Sequence, residues 1–408
     1  MKIIFSFFFI FLFPMYVFTQ DGWFIQKSNT SVTLWKTFFV DSLIGWISGS
    51  DGTILHTEDG GINWLKQKSN ANYNDLSSVF FLDKNIGWIV GHNGTILKTS
   101  DGGYNWINQV SGTSQILSDI IFLDSLNGWI VGFYGTILKT INGGLTWINV
   151  SSSINSSFFC IDFIDYCSGV ISGSGGTILL TKDCGKSWIL QDTKINNHLN
   201  SINYIDSLNI WAVGTKGIIL KTSNGGVDWE NETLNFSGDI KDIFFLNNKY
   251  IWIIGSDISS ATGKIYFSKN KGYSWEESII PVYNTIYDIL FLNDSIGWAI
   301  GKNGTILHTT NGGITFVEDE QLKKNITSCF PNPFTETATI EYTLQEPCWV
   351  KLCIYDFLGK EVALLINEFQ DAGEYRKSID GSGLSPGMYY YVLNTGNKTI
   401  TQKIIITE

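Results

Sequence analysis

The stretch TSDGGYNW, Thr99 to Trp106, sets an acidic side chain beside two glycines, a pattern that suits a cation ligand or a general acid. Six other stretches repeat it: TEDGGINW (57–64), TINGGLTW (140–147), TKDCGKSW (181–188), TSNGGVDW (222–229), SKNKGYSW (268–275) and TTNGGITF (309–316). At the acidic position stand Asp59, Asp101 and Asp183, but also Asn142, Asn224, Asn270 and Asn311. Acid–base work and hard-cation binding depend on charge or pKa, and an amide supplies neither well. All seven copies keep a short side-chain carbonyl oxygen. The expected structure is an Asx turn, in which that oxygen accepts a hydrogen bond from backbone two residues on while the glycines take positive φ. These residues are therefore read as fasteners.

Other groups with chemical potential are sparse. The carboxylates Asp51, Asp119, Asp162, Asp242 and Asp288 are candidates for the paired acids of a glycoside hydrolase, yet several recur at one position of the repeat, as structural or solvated residues do. The histidines His56, His92, His198 and His308 fall in separate repeats without zinc-ligand spacing, so no metal or other cofactor is expected. Cys160, Cys167 and Cys184 cluster in one repeat and Cys329, Cys348 and Cys353 near the end, which leaves their pairing open. Lys and Arg number 27 against 38 Asp and Glu, a formal net charge of −11. The single arginine is Arg376, so no basic stripe exists to neutralise phosphates, and nucleic acid is excluded as a partner.

The elements that must hold these residues repeat as well. Each unit has four short apolar runs, clearest in LSSVFFLD (76–83), GWIVG (87–91), GTILKT (94–99) and WINQ (106–109). The glycine opening the third run falls at Gly52, Gly94, Gly135, Gly176, Gly217, Gly263 and Gly304, in steps of 42, 41, 41, 41, 46 and 41. This period matches a four-stranded propeller blade. The runs are β-branched and aromatic but do not alternate with polar residues, as expected of blades covered on both faces by their neighbours. Trp46, Trp88, Trp129, Trp211, Trp252 and Trp298 recur in the second run; Trp64, Trp106, Trp147, Trp188, Trp229 and Trp275 follow the turn. Both sets are read as wedges between blades. Trp23 matches the strand after the turn but precedes the first complete unit, so the N-terminal strand is expected to complete the last blade.

The chain of 408 residues accordingly reads as all-β: a seven-bladed propeller over 20–318, a polar linker at 319–328 and a small β-sandwich at 329–408. The first residues, MKIIFSFFFIFLFPMYVFTQ, read as a signal peptide (1–19) cut near Thr19, and no later run suggests a transmembrane segment in the mature chain.

The turn, the period and the GWIVG and GTILKT runs resemble the Asp-box (BNR-like) propellers, most closely the photosystem II assembly and stability factors. That resemblance implies fold more than activity. A sialidase would further require an arginine cluster on the ring, where none is present. The end of the chain resembles the type A C-terminal sorting domain of the type IX (Por) secretion system, through Pro331, Asn332, Pro333 and Phe334, then Gly359, Gly387 and Lys403. This implies a bacterium of the Bacteroidetes–Chlorobi group, engagement of the type IX machinery, and release from the cell or attachment to its surface. The functional expectation is a non-enzymatic binding or scaffolding propeller for a protein or glycan ligand. The alternatives are a secreted Asp-box glycoside hydrolase and a photosystem II assembly factor-like protein, the latter by fold alone. The expected binding positions are the loops joining second and third strands, where the repeats differ most: Asp51, His92, Phe133, Tyr134, Lys216, Lys302 and the longer SDISSATG (256–263).

Overall fold

The structure, a computed structural model, describes residues 22–150, 153–234, 236, 238–246, 250–257, 260–313, 328–344, 346–356, 360–395 and 398–407. The expected signal peptide, most of the linker and Gly359 lie outside the described residues. The chain divides into two compact units, Met1–Thr315 and Phe316–Glu408.

The first unit consists of seven four-stranded antiparallel sheets, the blades of a propeller. Blade 1 runs Leu34–Phe39, Gly45–Gly49, Ile54–Thr57 and Leu65–Gln67. Second strands such as Gly87–Gly91 are buried at every residue, whereas outer strands such as Ile107–Gln109 are largely exposed. The absence of apolar–polar alternation thus follows from blade-on-blade packing.

Aromatic rings make the seams. Trp46 of blade 1 stacks on Phe81 of blade 2 at 3.6 Å, and Trp88 of blade 2 stacks on Phe122 of blade 3 at the same distance. Trp106 and Trp147 then meet these phenylalanines edge-on at 5.9 Å. Each fully buried tryptophan contributes roughly 4–6 kcal/mol of transfer free energy. The glycine that opens the second strand is part of the same joint: a Cβ on Gly87 would stand 2.5 Å from the Phe81 ring. Outer-strand glutamines hold the wedges in place, with Trp64 Nε1 donating to Gln26 Oε1 at 3.2 Å and Trp106 Nε1 to Gln67 Oε1 at 3.2 Å. His56 and His308 stack on Trp46 and Trp298 and belong to these seams.

Strand Trp23–Gln26 closes the circle. It pairs with Ile306–Thr309 in the register Trp23↔Thr309 to Gln26↔Ile306, as the outer strand of blade 7. Across the same seam Trp298 stacks on Phe39 at 3.7 Å. The long fifth step of the repeat, from Gly217 to Gly263, extends the second and third strands of blade 6 to Tyr250–Asp257 and Gly263–Ser268. Cys167 and Cys184 form a disulfide within blade 4, while Cys160, Cys329, Cys348 and Cys353 are free.

The second unit is a sandwich of a three-stranded and a four-stranded sheet. Ile340, Tyr342, Leu352, Ile354, Tyr391 and Ile404 fill one core between them. Asn332 Nδ2 donates to the Lys403 carbonyl at 3.0 Å, and Ile405 N donates to Asn332 Oδ1 at 2.9 Å. Phe334 is buried, and its N–H donates to the Ile405 carbonyl at 3.0 Å. The segment holding Pro331 and Pro333 is thereby clipped to the last strand, Lys398–Ile406, beside Gly387, which pairs with Ile406.

Candidate functional site

The repeated Asp and Asn side chains form corners, with one correction to the expected geometry. Asp59 Oδ1 accepts from the backbone N–H of Asn63, four residues on, at 2.8 Å, and from Thr57 Oγ1 at 2.9 Å. It does not bond two residues on. Gly60 and Gly61, at φ 70° and 84°, curl the chain so that the fourth residue arrives under the oxygen. Asn142 reproduces the arrangement: Thr146 N donates to Asn142 Oδ1 at 3.0 Å, and Asn142 Nδ2 donates to Thr146 Oγ1 at 2.9 Å. Where the corner is Asp, the residue four on donates, as Asn105 Nδ2 does to Asp101 Oδ2 at 2.8 Å. Asp183, Asn224 and Asn270 accept in the same way from Ser187, Asp228 and Ser274, and Asn311 accepts from Thr309 Oγ1. Trp188, Trp229 and Trp275 pack partly buried at the seams beyond these corners.

A second set of corners was not anticipated. Asp41 Oδ1 accepts from Leu43 N and Ile44 N, both at 2.8 Å, between the first and second strands. Asp83, Asp124, Asp165, Asp206 and Asn293 repeat it. The two-residue Asx turn expected at Asp101 is made here instead. The Asp or Asn recurring four residues ahead of the second strand's first residue, which opens Gly-Trp in blades 1, 2, 3 and 7, was the available signal.

At the end opposite the first corners, the seven innermost strands converge on a cavity of about 330 Å³. Every innermost strand carries an irregularity there, for example between Leu34 and Lys36 and between Leu117 and Asp119. The bulge turns an additional side chain toward the channel mouth in each blade. These are Trp35, Ser77, Ser118, Phe159, Asn200, Lys241 and Tyr287, which encircle the opening. The next residues form a deeper ring: Lys36, Ser78, Asp119, Cys160, Ser201, Asp242 and Asp288.

Three of the five candidate carboxylates, Asp119, Asp242 and Asp288, therefore share one blade position and meet in this ring. Lys36 Nζ lies 2.6 Å from Asp288 Oδ1 and 4.0 Å from Asp242 Oδ2. Burial pushes the Asp288 carboxyl up to about 7, against the attraction of Lys36, while Asp288 and Asp242 hold the Lys36 ammonium well above its usual range despite burial. Burial also raises Asp119. Each acid braces the following blade. Asp288 Oδ2 accepts from Thr37 N at 2.8 Å, Asp119 Oδ2 from Ile161 N at 3.0 Å, and Asp242 Oδ2 from Ile289 N at 3.5 Å. Asp162, two residues beyond the ring, accepts from Tyr204 N at 2.8 Å, and burial pushes it up to about 6. Asp51 stands apart on an exposed loop.

Of the predicted loop residues, the structure brings His92 and Phe133 to the cavity; Asp51, Tyr134, Lys216 and Lys302 are not among its lining residues. Phe133 is not freely exposed as expected. It is half-buried because its ring packs on Phe159 at 6.0 Å. Tyr134 is 68% exposed and adopts φ 54°, where Asn93 and Asn303 occupy the corresponding loop position at 55° and 58°. A non-glycine residue held in this region costs roughly 1–2 kcal/mol, a cost that asparagine reduces. Asp51 and Lys216 share the conformation. Among the described residues no helix is long and apolar enough to cross a membrane.

Comparison with known proteins agrees with both units. Residues 16–111 and 107–191 match the family Photosynthesis system II assembly factor YCF48, and residues 328–407 match the Secretion system C-terminal sorting domain. The chain thus carries a YCF48-like propeller domain followed by a Por-type sorting domain, which indicates secretion or attachment at the cell surface. No curated protein matches it. Among solved structures, a YCF48 bound to D1 peptide is 20% identical, covers 71% of this chain and 97% of its own, and superposes with a TM-score of 0.62. YCF48 from Cyanidioschyzon merolae is 19% identical over 71% of this chain and 98% of its own, with a TM-score of 0.58. A GH74 xyloglucanase from Xanthomonas campestris is 8% identical over 79% of this chain and 59% of its own, with a TM-score of 0.61. At these identities the likeness is one of fold.

Proposed function

We propose, from the pairing of a YCF48-like propeller with a secretion sorting domain, that this chain is an exported, non-enzymatic binding module whose recognition surface is the channel mouth and the loops around it. In this reading residues 1–19 direct export, 20–318 form the ring, 319–328 link it, and 329–408 engage the type IX machinery. The observation that carries the binding reading is the use of the ring acids. Asp119, Asp162, Asp242 and Asp288 each accept a backbone N–H from the next blade, so they are committed to holding the ring together. The mouth above them is walled by aromatic and small polar side chains, as in small-molecule and peptide sites. A YCF48 propeller bound to D1 peptide is a precedent for this fold as a binding module; the photosystem role itself does not transfer at 20% identity.

The glycoside hydrolase reading draws on the xyloglucanase likeness and on Asp288, whose carboxyl holds a proton near neutral pH. It predicts hydrolysis that Asp288→Asn or Asp242→Asn abolishes. The binding reading predicts no turnover and, instead, loss of retention on the producing cell surface when Phe133→Ala and Tyr134→Ala are combined at unchanged melting temperature. Retention that survives the double substitution would remove the rim from the site. Export that survives deletion of 329–408 would remove the sorting role.

A further inference from the structure

We infer that the channel mouth takes a neutral, hydroxyl-rich ligand: a single sugar ring or the end-group of a glycan. This rests on the binding reading above and supplies its ligand class. Charge is the first argument. The cations facing the cavity already have carboxylate partners: Lys36 with Asp288 and Asp242, and Lys241 Nζ with Asp239 at 3.2 Å. An anionic ligand entering here meets Asp119, Asp242 and Asp288, and a cationic ligand meets Lys36 and Lys241. An anion finds no cation here without a carboxylate partner, and Asp119, which is in no ion pair among the described residues, already accepts from Ser78 Oγ at 2.8 Å and Ile161 N at 3.0 Å, so either charge is desolvated at a cost.

The walls supply the second argument. Trp35 and Tyr287, on blades 1 and 7, pack 4.7 Å apart, and Trp35 Nε1 is anchored to Ser50 Oγ at 3.0 Å. Phe133 and Phe159 form a second aromatic wall from blades 3 and 4, well round the ring from the first. Between the walls lie hydroxyl and amide groups. Ser118 Oγ is buried without a hydrogen-bond partner among the described residues, and it borders the cavity. Leaving such a group unsatisfied costs free energy that an incoming hydroxyl recovers. A pyranose presents C–H faces to aromatic walls and hydroxyls to the groups between them. The volume of about 330 Å³ is at the low end for ligand pockets and suits one ring rather than a long chain.

The test uses the full chain, probed against immobilised neutral hexose oligosaccharides, acidic oligosaccharides, and basic and acidic peptides, followed by tryptophan-fluorescence titration with the retained neutral glycan. The expected result is binding confined to neutral glycans. Ser118→Ala, which breaks no bond within the protein, lowers affinity about five-fold at unchanged melting temperature, as expected for one hydrogen bond. Trp35→Ala lowers it about ten-fold or more. Absence of neutral-glycan binding, or binding indifferent to both substitutions, overturns the inference. Capture of peptides alone, lost in Phe133→Ala with Tyr134→Ala, overturns the ligand class and leaves the binding reading standing. Capture of neither class by the wild type overturns both.

Discussion

Replacing Asp101 in two ways separates a fastener from a reactive carboxylate. Its Oδ1 accepts from Thr99 Oγ1 at 2.8 Å and Asn105 N at 2.9 Å, and its Oδ2 accepts from Asn105 Nδ2 at 2.8 Å. Asp101→Ala removes all three bonds in a partly exposed turn, at a cost of about 2 kcal/mol. Asp101→Asn keeps both Oδ1 bonds. Its new amide faces the Asn105 amide, but Asn105 can turn its oxygen inward, just as Asn142 Nδ2 finds an oxygen on Thr146. The expected cost is under about 0.5 kcal/mol. Urea unfolding followed by tryptophan fluorescence, with calcium and with chelator, measures both variants. The pH dependence gives a third readout. The hydrogen bond from the Asn105 side chain, with others, holds the Asp101 carboxyl below its usual value. Stability from this group is therefore present above the unfolded value near about 4 and is lost as pH falls through the folded one; the asparagine variant lacks that loss. A penalty for asparagine equal to that for alanine, or calcium stabilising the wild type but not Asp101→Asn, refutes the reasoning.

Deleting residues 21–28 removes the outer strand of blade 7 and buried Trp23, and is expected to lower stability by at least about 3 kcal/mol in chemical unfolding. Phe81→Ala, which empties the joint between Trp46 and Trp106, costs about 3–5 kcal/mol by the same assay. Tyr134→Asn relieves the left-handed backbone and raises stability by roughly 0.5–1 kcal/mol while weakening ligand retention; a destabilised variant would contradict the strain argument. Because burial raises Asp288 to about 7, its protonated form is favoured in the folded ring, so its contribution to stability is full below the unfolded value near about 4 and is lost as pH rises through 7. Unfolding curves across that window should flatten in Asp288→Asn.

The sequence displayed the joints more readily than the site, for a physical reason. A side chain in a seam answers to the same neighbour in every blade, so Trp88 and Trp129, or Asp101 and Asn142, recur at fixed spacing and declare themselves by repetition. Even closure was legible, since Trp23 carries the seam residue of an outer strand with no blade of its own before it. The bonding within the corner was not, because the count from Asp59 to its backbone donor depends on how far two positive-φ glycines curl the chain. The channel mouth was hidden more deeply. Its residues occupy one repeat position yet differ in type from blade to blade, and the bulge that turns Trp35, Ser118 and Tyr287 toward the opening leaves no mark in the hydrophobic pattern.

That contrast also bears on where specificity is carried. At the ring position the chain places Lys36 in blade 1 and Asp288 in blade 7, the two blades that meet where the circle closes, while blades 2 and 5 carry Ser78 and Ser201. An ion pair at the closing seam can register the first blade against the last, because Asp288 also accepts from Thr37 N and would leave a buried charge unpaired in any slipped closure. Once the deeper ring performs that duty, not every bulge residue above it has to carry load from blade to blade, although Trp35 meets Tyr287 across the closing seam and Asn200 Nδ2 donates to the Ile240 carbonyl of the next blade at 2.6 Å. Ser118 Oγ shows this most plainly: it is buried at the cavity and bonded to nothing described, which a purely structural ring gives no reason to keep.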